Sequence, residues 1–390
     1  MRVIVPKLRF KEFNNDYTEF KLKDIVNFYK GNTLSKSDII ENGDIKCILY
    51  GELYTKYSEI AYKIYSRTNN FSNTLFWGQT NDVLIPCSGE TALDISTSTC
   101  LQEDNIAIGG DLNILRPLNA DGKYLSYLIC NKKRKEIAKY AQGDSIVHLY
   151  GEKIKNITIY LPTINEQEKI SNMLSLLDKK IELQKQKIEA LKLYKKGLLQ
   201  KIMNQKGVKT RLKDILIEYS KKTTINNQYE IISSTKEGLF LQKEYFNRSI
   251  ASENNIGYKI LKINQIVLSP QNLWMGNINY NDKYEIGIVS PSYKIFNINN
   301  EFDKYYIFNW LKSEKALYYY TISSEQGASI VRRNLNIEAF EEITFNIPNK
   351  KIQNIIGMNI KLIDSKIKLS ENKFNYLYNY KKSLLQQMFI

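Results

Sequence analysis

The chain has 390 residues, with 56 Lys and Arg against 41 Asp and Glu, a formal charge of +15 and a pI near 9.3. That length accommodates two or three domains, each with its own core. No apolar run reaches the ~18 residues a membrane span needs, and the opening MRVIVPKLRF is too short in apolar residues for a signal peptide, so a cytoplasmic protein is expected.

Read in chain order, the first landmark is LKDI at 22–25. Short β-branched or aromatic runs ended by Pro, Gly, Ser or Asn follow, such as NDVLIPCSG and NITIYLP, and they read as strands. A helical patch spans 123–141, and QGDSIV occupies 142–147. After Pro162, Thr163 and Glu166 predict a capping box, and a long helix begins. Its 4,3 spacing runs Ile170, Leu174, Leu177, Ile181, Gln184, Ile188, Leu191, Lys195, Leu198, Ile202, and eight of these ten are apolar. That is a coiled-coil seam.

LKDI then recurs at 212–215. Strand runs YEIISST, KINQIVLSP and IGIVSPSYKIFNI, a helical patch at 304–320 and QGASIV at 326–331 come next. Asn349 is the expected cap of a second long helix, whose seam is Ile356, Ile360, Ile363, Ile367, Ser370, Phe374, Leu377, Lys381, Leu384, Met388. Aligning 157–200 with 343–386, at an offset of 186, gives 18 identities in 44 positions without a gap. Composition alone gives about one in ten, so the chain is a tandem duplication. Polar residues interrupt both seams at the same two places, which suggests that the helices pair with each other in one register. Between the LKDI and QG(D/A)SIV anchors the copies diverge almost completely.

The expected fold is therefore α+β: two tandem domains joined by two long antiparallel coiled-coil helices, a pseudo-twofold internal repeat. The expected boundaries are 1–162, 163–205 for the central helix, 206–348, and 349–390 for the C-terminal helix. A basic excess of this size points toward a polyanion partner, although an AT-rich genome also favours the Ile-, Asn-, Lys- and Tyr-rich composition.

Catalytic patterns are missing. There is no GxxxxGK[ST] loop, no Asn/Asp-Pro-Pro-aromatic stretch, and Gly109-Gly110 lacks the spacing of a dinucleotide or methyl-donor loop. His148 is the single histidine, which excludes metal sites built on paired histidines. Cys47, Cys87, Cys100 and Cys130 have neither zinc nor disulfide spacing and read as buried free thiols. No metal and no cofactor are expected.

The stretch at 142–203, QGDSIVHLYGEKIKNITIYLPTINEQEKI and onward through YKKGLLQKIM, resembles the specificity subunit of type I restriction–modification systems. VPKLRFKEF at 5–13 is similar to the start of many such subunits, and the resemblance covers essentially the whole chain. It implies two target-recognition domains, each reading one half of a split double-stranded DNA target, with the paired helices as a ruler. It also implies two docked adenine-N6 methyltransferase subunits, motor-nuclease subunits beside them, and no catalytic centre in this chain.

Base-reading residues are expected where the copies differ, in loops that follow strands: Ser88, Gly89 and Thr91 in the first domain; Ser269, Gln271, Asn272 and Trp274 in the second. The repeated loops add Gly143, Ser145 and His148, and Gly327 and Ser329, with Arg332 and Arg333 giving the second domain extra charge for phosphate or guanine. Helix pairing is expected of Ile170, Leu174, Leu177, Ile181, Ile188, Leu191, Ile356, Ile360, Ile363, Ile367, Phe374 and Leu377. The competing reading is a coiled-coil assembly scaffold without sequence-specific DNA binding.

Overall fold

The computed structural model describes residues 5–143, 146–203, 206–245, 254–329 and 332–390. Met1–Lys185 with Asn372–Ile390 form one compact unit, and Gln186–Glu371 form a second. The long helices are Ile164–Met203 and Lys350–Met388, so each unit holds part of both. Among the described residues no helix is long and apolar enough to cross a membrane.

Both units are closed by the same clasp. In the first, the strand Thr18–Lys21 pairs antiparallel with Thr158–Leu161, the strand that leads into the central helix. In the second, Val208–Arg211 pairs in the same way with Thr344–Ile347. The repeated LKDI follows as one helical turn whose Leu and Ile are buried, and its first N–H returns to the clasp: Leu22 to Ile157 O at 3.0 Å, Leu212 to Ile343 O at 2.9 Å. The duplicated sequence therefore brings the start of each domain to the start of the helix that follows it.

Inside the clasp the sheets differ. The first unit has a five-stranded sheet in the order Val26–Lys30, Leu112–Pro117, Val83–Pro86, Thr99–Leu101, Ile60–Ala61, beside a four-stranded one. The second has a four-stranded sheet, Leu216–Tyr219, Lys294–Ile298, Gln265–Leu268, Ile278–Tyr280, and smaller two-stranded pieces. Both helical patches expected from the sequence are interrupted. The first passes through a π turn, Ile129–Lys133; the second restarts where Ser313 Oγ accepts the Ala316 N–H at 3.0 Å.

A buried glutamine anchors each long helix. Gln167 accepts the Asp121 N–H at 3.1 Å and donates to Pro162 O at 2.9 Å; Gln353 does the same with Asp303 at 2.9 Å and Pro348 O at 2.8 Å. Both amide groups are thus satisfied away from water. Asn349 caps its helix, with Oδ1 accepting the Ile352 N–H at 3.0 Å. The capping box expected at Thr163 does not close. Glu166 is fully buried, and both its carboxylate oxygens accept from Arg9 at 2.8 Å. A bidentate guanidinium outbids a single backbone N–H for a buried carboxylate.

The helices run antiparallel within the second unit, where Lys192 meets Glu371 at 2.7 Å and Lys195 meets Asp364 at 2.7 Å. In the first unit Lys381 meets Asp178 at 2.7 Å, the same pair displaced by 186 residues in both partners. A domain tyrosine completes each node: Tyr127 donates to Asp178 at 2.5 Å and Tyr305 to Asp364 at 2.6 Å. The lysine interrupting each seam is explained by the aspartate facing it.

Seam residues near the helix starts also serve the domain cores. Ile170, Leu174 and Leu177 are buried with Leu22, Ile25 and Tyr127, and with Leu384, Leu385, Met388 and Phe389 from the end of the distal helix. Ile356 and Ile360 are buried with Leu212, Trp310 and Phe345 of the second unit, where Trp310 stacks on Phe345. Ile188, Ile363 and Ile367 are buried, while Ile181, Leu191, Phe374 and Leu377 are half-buried. Three of the four free thiols are buried and Cys130 is half-buried.

Candidate nucleic-acid interface

In the first unit the strand Val83–Pro86 runs on through Cys87 into Ser88–Gly89, which pairs antiparallel with Val147–His148. Leu149 N–H donates to Cys87 O at 2.7 Å, and Cys87 N–H donates to Asp111 O at 2.7 Å. Ser88 Oγ donates to the Asp111 carboxylate at 3.1 Å. The repeated loop is itself a hairpin: Gln142 and His148 exchange backbone hydrogen bonds of 3.0 and 2.8 Å. Gly143 turns it at φ +120°, where an added Cβ would lie 2.2 Å from Ile146 O, so only glycine fits.

Ser88 and Gly89 are buried and hold the loop in place; His148 is exposed, its ring stacked on Tyr150. Thr91 is exposed, but its hydroxyl closes a local turn on Asp94 at 2.6 Å. Arg134 fixes the far side of that turn through two bonds to Leu93 O, at 3.0 and 2.9 Å. A cleft of about 990 Å³ opens beside the loop, with Tyr50, Tyr54, Lys36, Glu90 and Asp111 in its walls.

In the second unit the equivalent strand, Gln265–Leu268, is followed by buried Ser269 and a 3-10 turn, Pro270–Met275. Gln271 is exposed; Asn272 and Trp274 are half-buried. The repeated loop again forms a hairpin, in which Gln326 pairs with Arg333 across Ser324–Ser329 and Arg332–Leu335. Gln326 thus faces Arg333 as Gln142 faces His148. The ungapped sequence offset instead matches Arg332 to His148; the register irregularity between Gln326 and Ser329 accounts for the shift. Gly327 and Ser329 lie in the first of these strands and Arg332 in the second, while Ser145 lies outside the described residues. The Arg333 guanidinium sits 5.1 Å over the Trp274 ring, and its Nη1 donates to Thr321 O at 3.2 Å.

Each unit therefore brings its variable loop against its repeated hairpin. Three residues that the sequence reading passed over take part. Asp111 ties Ser88 in place and follows Gly109-Gly110, whose N–H groups bond Ile48 O at 2.9 Å and Leu34 O at 3.0 Å. Arg134 braces Leu93. Lys312 donates to Gly276 O at 3.0 Å, and burial pushes its ammonium down to about 8. The one available signal was a Gly-Gly-Asp turn; nothing local marks Arg134 or Lys312. Among the described residues no group of three or more His, Cys, Asp or Glu is placed to hold a metal.

Two domains of shared frame and different loops, each fused to a helix that pairs with the other's, define a class of tandem two-domain module. Residues 14–193 match the family described as the type I restriction modification DNA specificity domain. The type I restriction enzyme MjaVIII specificity subunit of Methanocaldococcus jannaschii is 26% identical over 214 residues, covering 51% of this chain and 48% of that protein. The putative MjaX specificity subunit of the same organism is 25% identical over 303 residues, covering 71% of this chain and 70% of that one. The crystal structure of the type I S subunit from M. genitalium has the same fold, with a TM-score of 0.65 at 18% identity over 99% of both chains. The chain is thus similar to type I restriction–modification specificity subunits, over residues 14–193 to their DNA specificity domain and over its whole length in fold. Its alignment spans about half the length of the MjaVIII subunit.

Proposed function

We propose that this chain is the non-catalytic, sequence-recognising subunit of a cytoplasmic type I complex, and that residues 1–162 and 206–348 each read one half of a bipartite, asymmetric DNA target. Residues 163–205 and 349–390 set the gap and carry two methyltransferase subunits. Adenine-N6 methylation and ATP-dependent cleavage belong to partner subunits. The carrying observation is the pairing, in both units, of a repeated hairpin with an unlike loop: Ser88–Gly89 against Val147–His148 in one, Pro270–Met275 against Arg332–Leu335 in the other. A shared frame holding different contact groups is what two different half-sites require. Each helix also leaves leucines in water at matching positions. Leu176 and Leu183 are 60% and 64% exposed, Leu362 and Leu369 53% and 71%, in keeping with a docked partner.

The test is methylome sequencing of a host expressing the chain with its methyltransferase, followed by gel shifts of the purified complex. The expected result is methyladenine in both halves of one gapped, non-palindromic motif. Partner binding without sequence-selective DNA binding would leave only the scaffold reading.

A further inference from the structure

We infer that the second unit reads an adenine in the major groove through the side-chain amide of Gln271. This rests on the reading that the Pro270–Met275 loop contacts DNA. A 3-10 turn has three residues per turn and therefore three separate edges. Leu273 and Gly276 form the buried edge, Asn272 and Met275 share the second, and Gln271 and Trp274 share the third.

The turn is held at both ends. Pro270 fixes the first backbone angle, and Gly276 closes the turn in the left-handed region at φ +89°. Asn272 N–H donates to Ser269 O at 3.1 Å, and the half-buried Lys312 holds Gly276 O at 3.0 Å. On the third edge, Arg333 lies over Trp274 and is tied to Thr321 O, so its guanidinium is not presented fork-first to a guanine. Gln271 is the exposed group on that edge, and among the described residues nothing hydrogen-bonds its amide.

A carboxamide presents one donor and one acceptor side by side. Adenine offers the complement, an N7 acceptor beside an N6–H donor. Guanine offers two acceptors and would set O6 against the amide oxygen; thymine and cytosine offer one group each. A fixed turn loses little freedom when its amide is ordered, which favours readout over adventitious contact. The first unit has no amide at the corresponding position: its loop carries Ser88 and Gly89, then the exposed Glu90. This amide–adenine contact is therefore assigned to the second half-site alone.

The experiment uses the purified complex of the full chain with its methyltransferase subunits, and duplexes in which each base pair of the target is changed singly. Wild type is compared with Gln271→Ala and with Gln271→Glu, which keeps the shape and removes the donor. In both variants the preference for adenine at one position of the second half should fall about 10- to 100-fold, the discrimination of one bidentate pair. Every position of the first half should keep its preference, which also verifies folding. The inference is overturned by unchanged preferences throughout, by relaxation at a position that is not adenine, or by uniform weakening at all positions. Wild-type complex lacking any sequence preference would instead overturn the proposed function.

Discussion

Lys381→Met tests how far the first unit depends on the distal helix. Lys381 reaches two carboxylates, Asp178 at 2.7 Å and Glu59 at 3.1 Å, and the three side chains are 13%, 16% and 14% exposed. Removing one partner from a buried ion cluster costs about 3–5 kcal/mol, because the remaining charges stay buried unpaired. The counterpart, Lys195 with Asp364, is 25% and 31% exposed, so Lys195→Met should cost only about 1 kcal/mol. The assay is urea unfolding followed by hydrogen exchange, which resolves the two units separately. The pH dependence carries a sign. Burial already pushes the Asp178 carboxyl up, against the pull of Lys381, and loss of the ammonium raises it further. A carboxyl whose folded pKa lies above its unfolded value costs stability above that pKa and returns it as pH falls toward the unfolded one. The deficit of Lys381→Met should therefore shrink as pH falls from neutral toward the ordinary carboxyl range. Equal losses for the two lysine variants, or a deficit independent of pH, would refute the reasoning.

Deleting 384–390 should abolish cooperative unfolding of the first unit, since Leu384, Leu385, Met388 and Phe389 leave its core at about 1.5–3 kcal/mol each; a protected core in hydrogen exchange would contradict this. Gly143→Ala should destabilise the first hairpin by about 2 kcal/mol and weaken binding to the first half-site in gel shifts, while the second half keeps its preference. Lys312 has its ammonium pushed down to about 8, so the folded second unit binds fewer protons than the unfolded chain between about pH 8 and 10.5. Stability of that unit should rise with pH across this window in wild type, measured by urea titration, and the rise should be missing in Lys312→Met.

The sequence by itself determined the duplication, because two copies 186 residues apart can be aligned, and the two long helices, their seams and the Asn349 cap, because these are written in local spacing. It also carried the polar breaks in the seams, Lys195 and Lys381, although not the aspartates that answer them. Tertiary structure decided what long-range partners decide. Arg9, 157 positions away, took Glu166 from the capping box. The last turn of the distal helix became core of the first unit. Ser88, Gly89 and Ser269 turned inward, leaving Gln271 exposed on a turn held by Lys312. Periodicity reports the face a residue shares with its neighbours along the chain. Which group a buried charge or amide finally meets depends on elements brought together from far apart, and that is fixed only when the chain has folded.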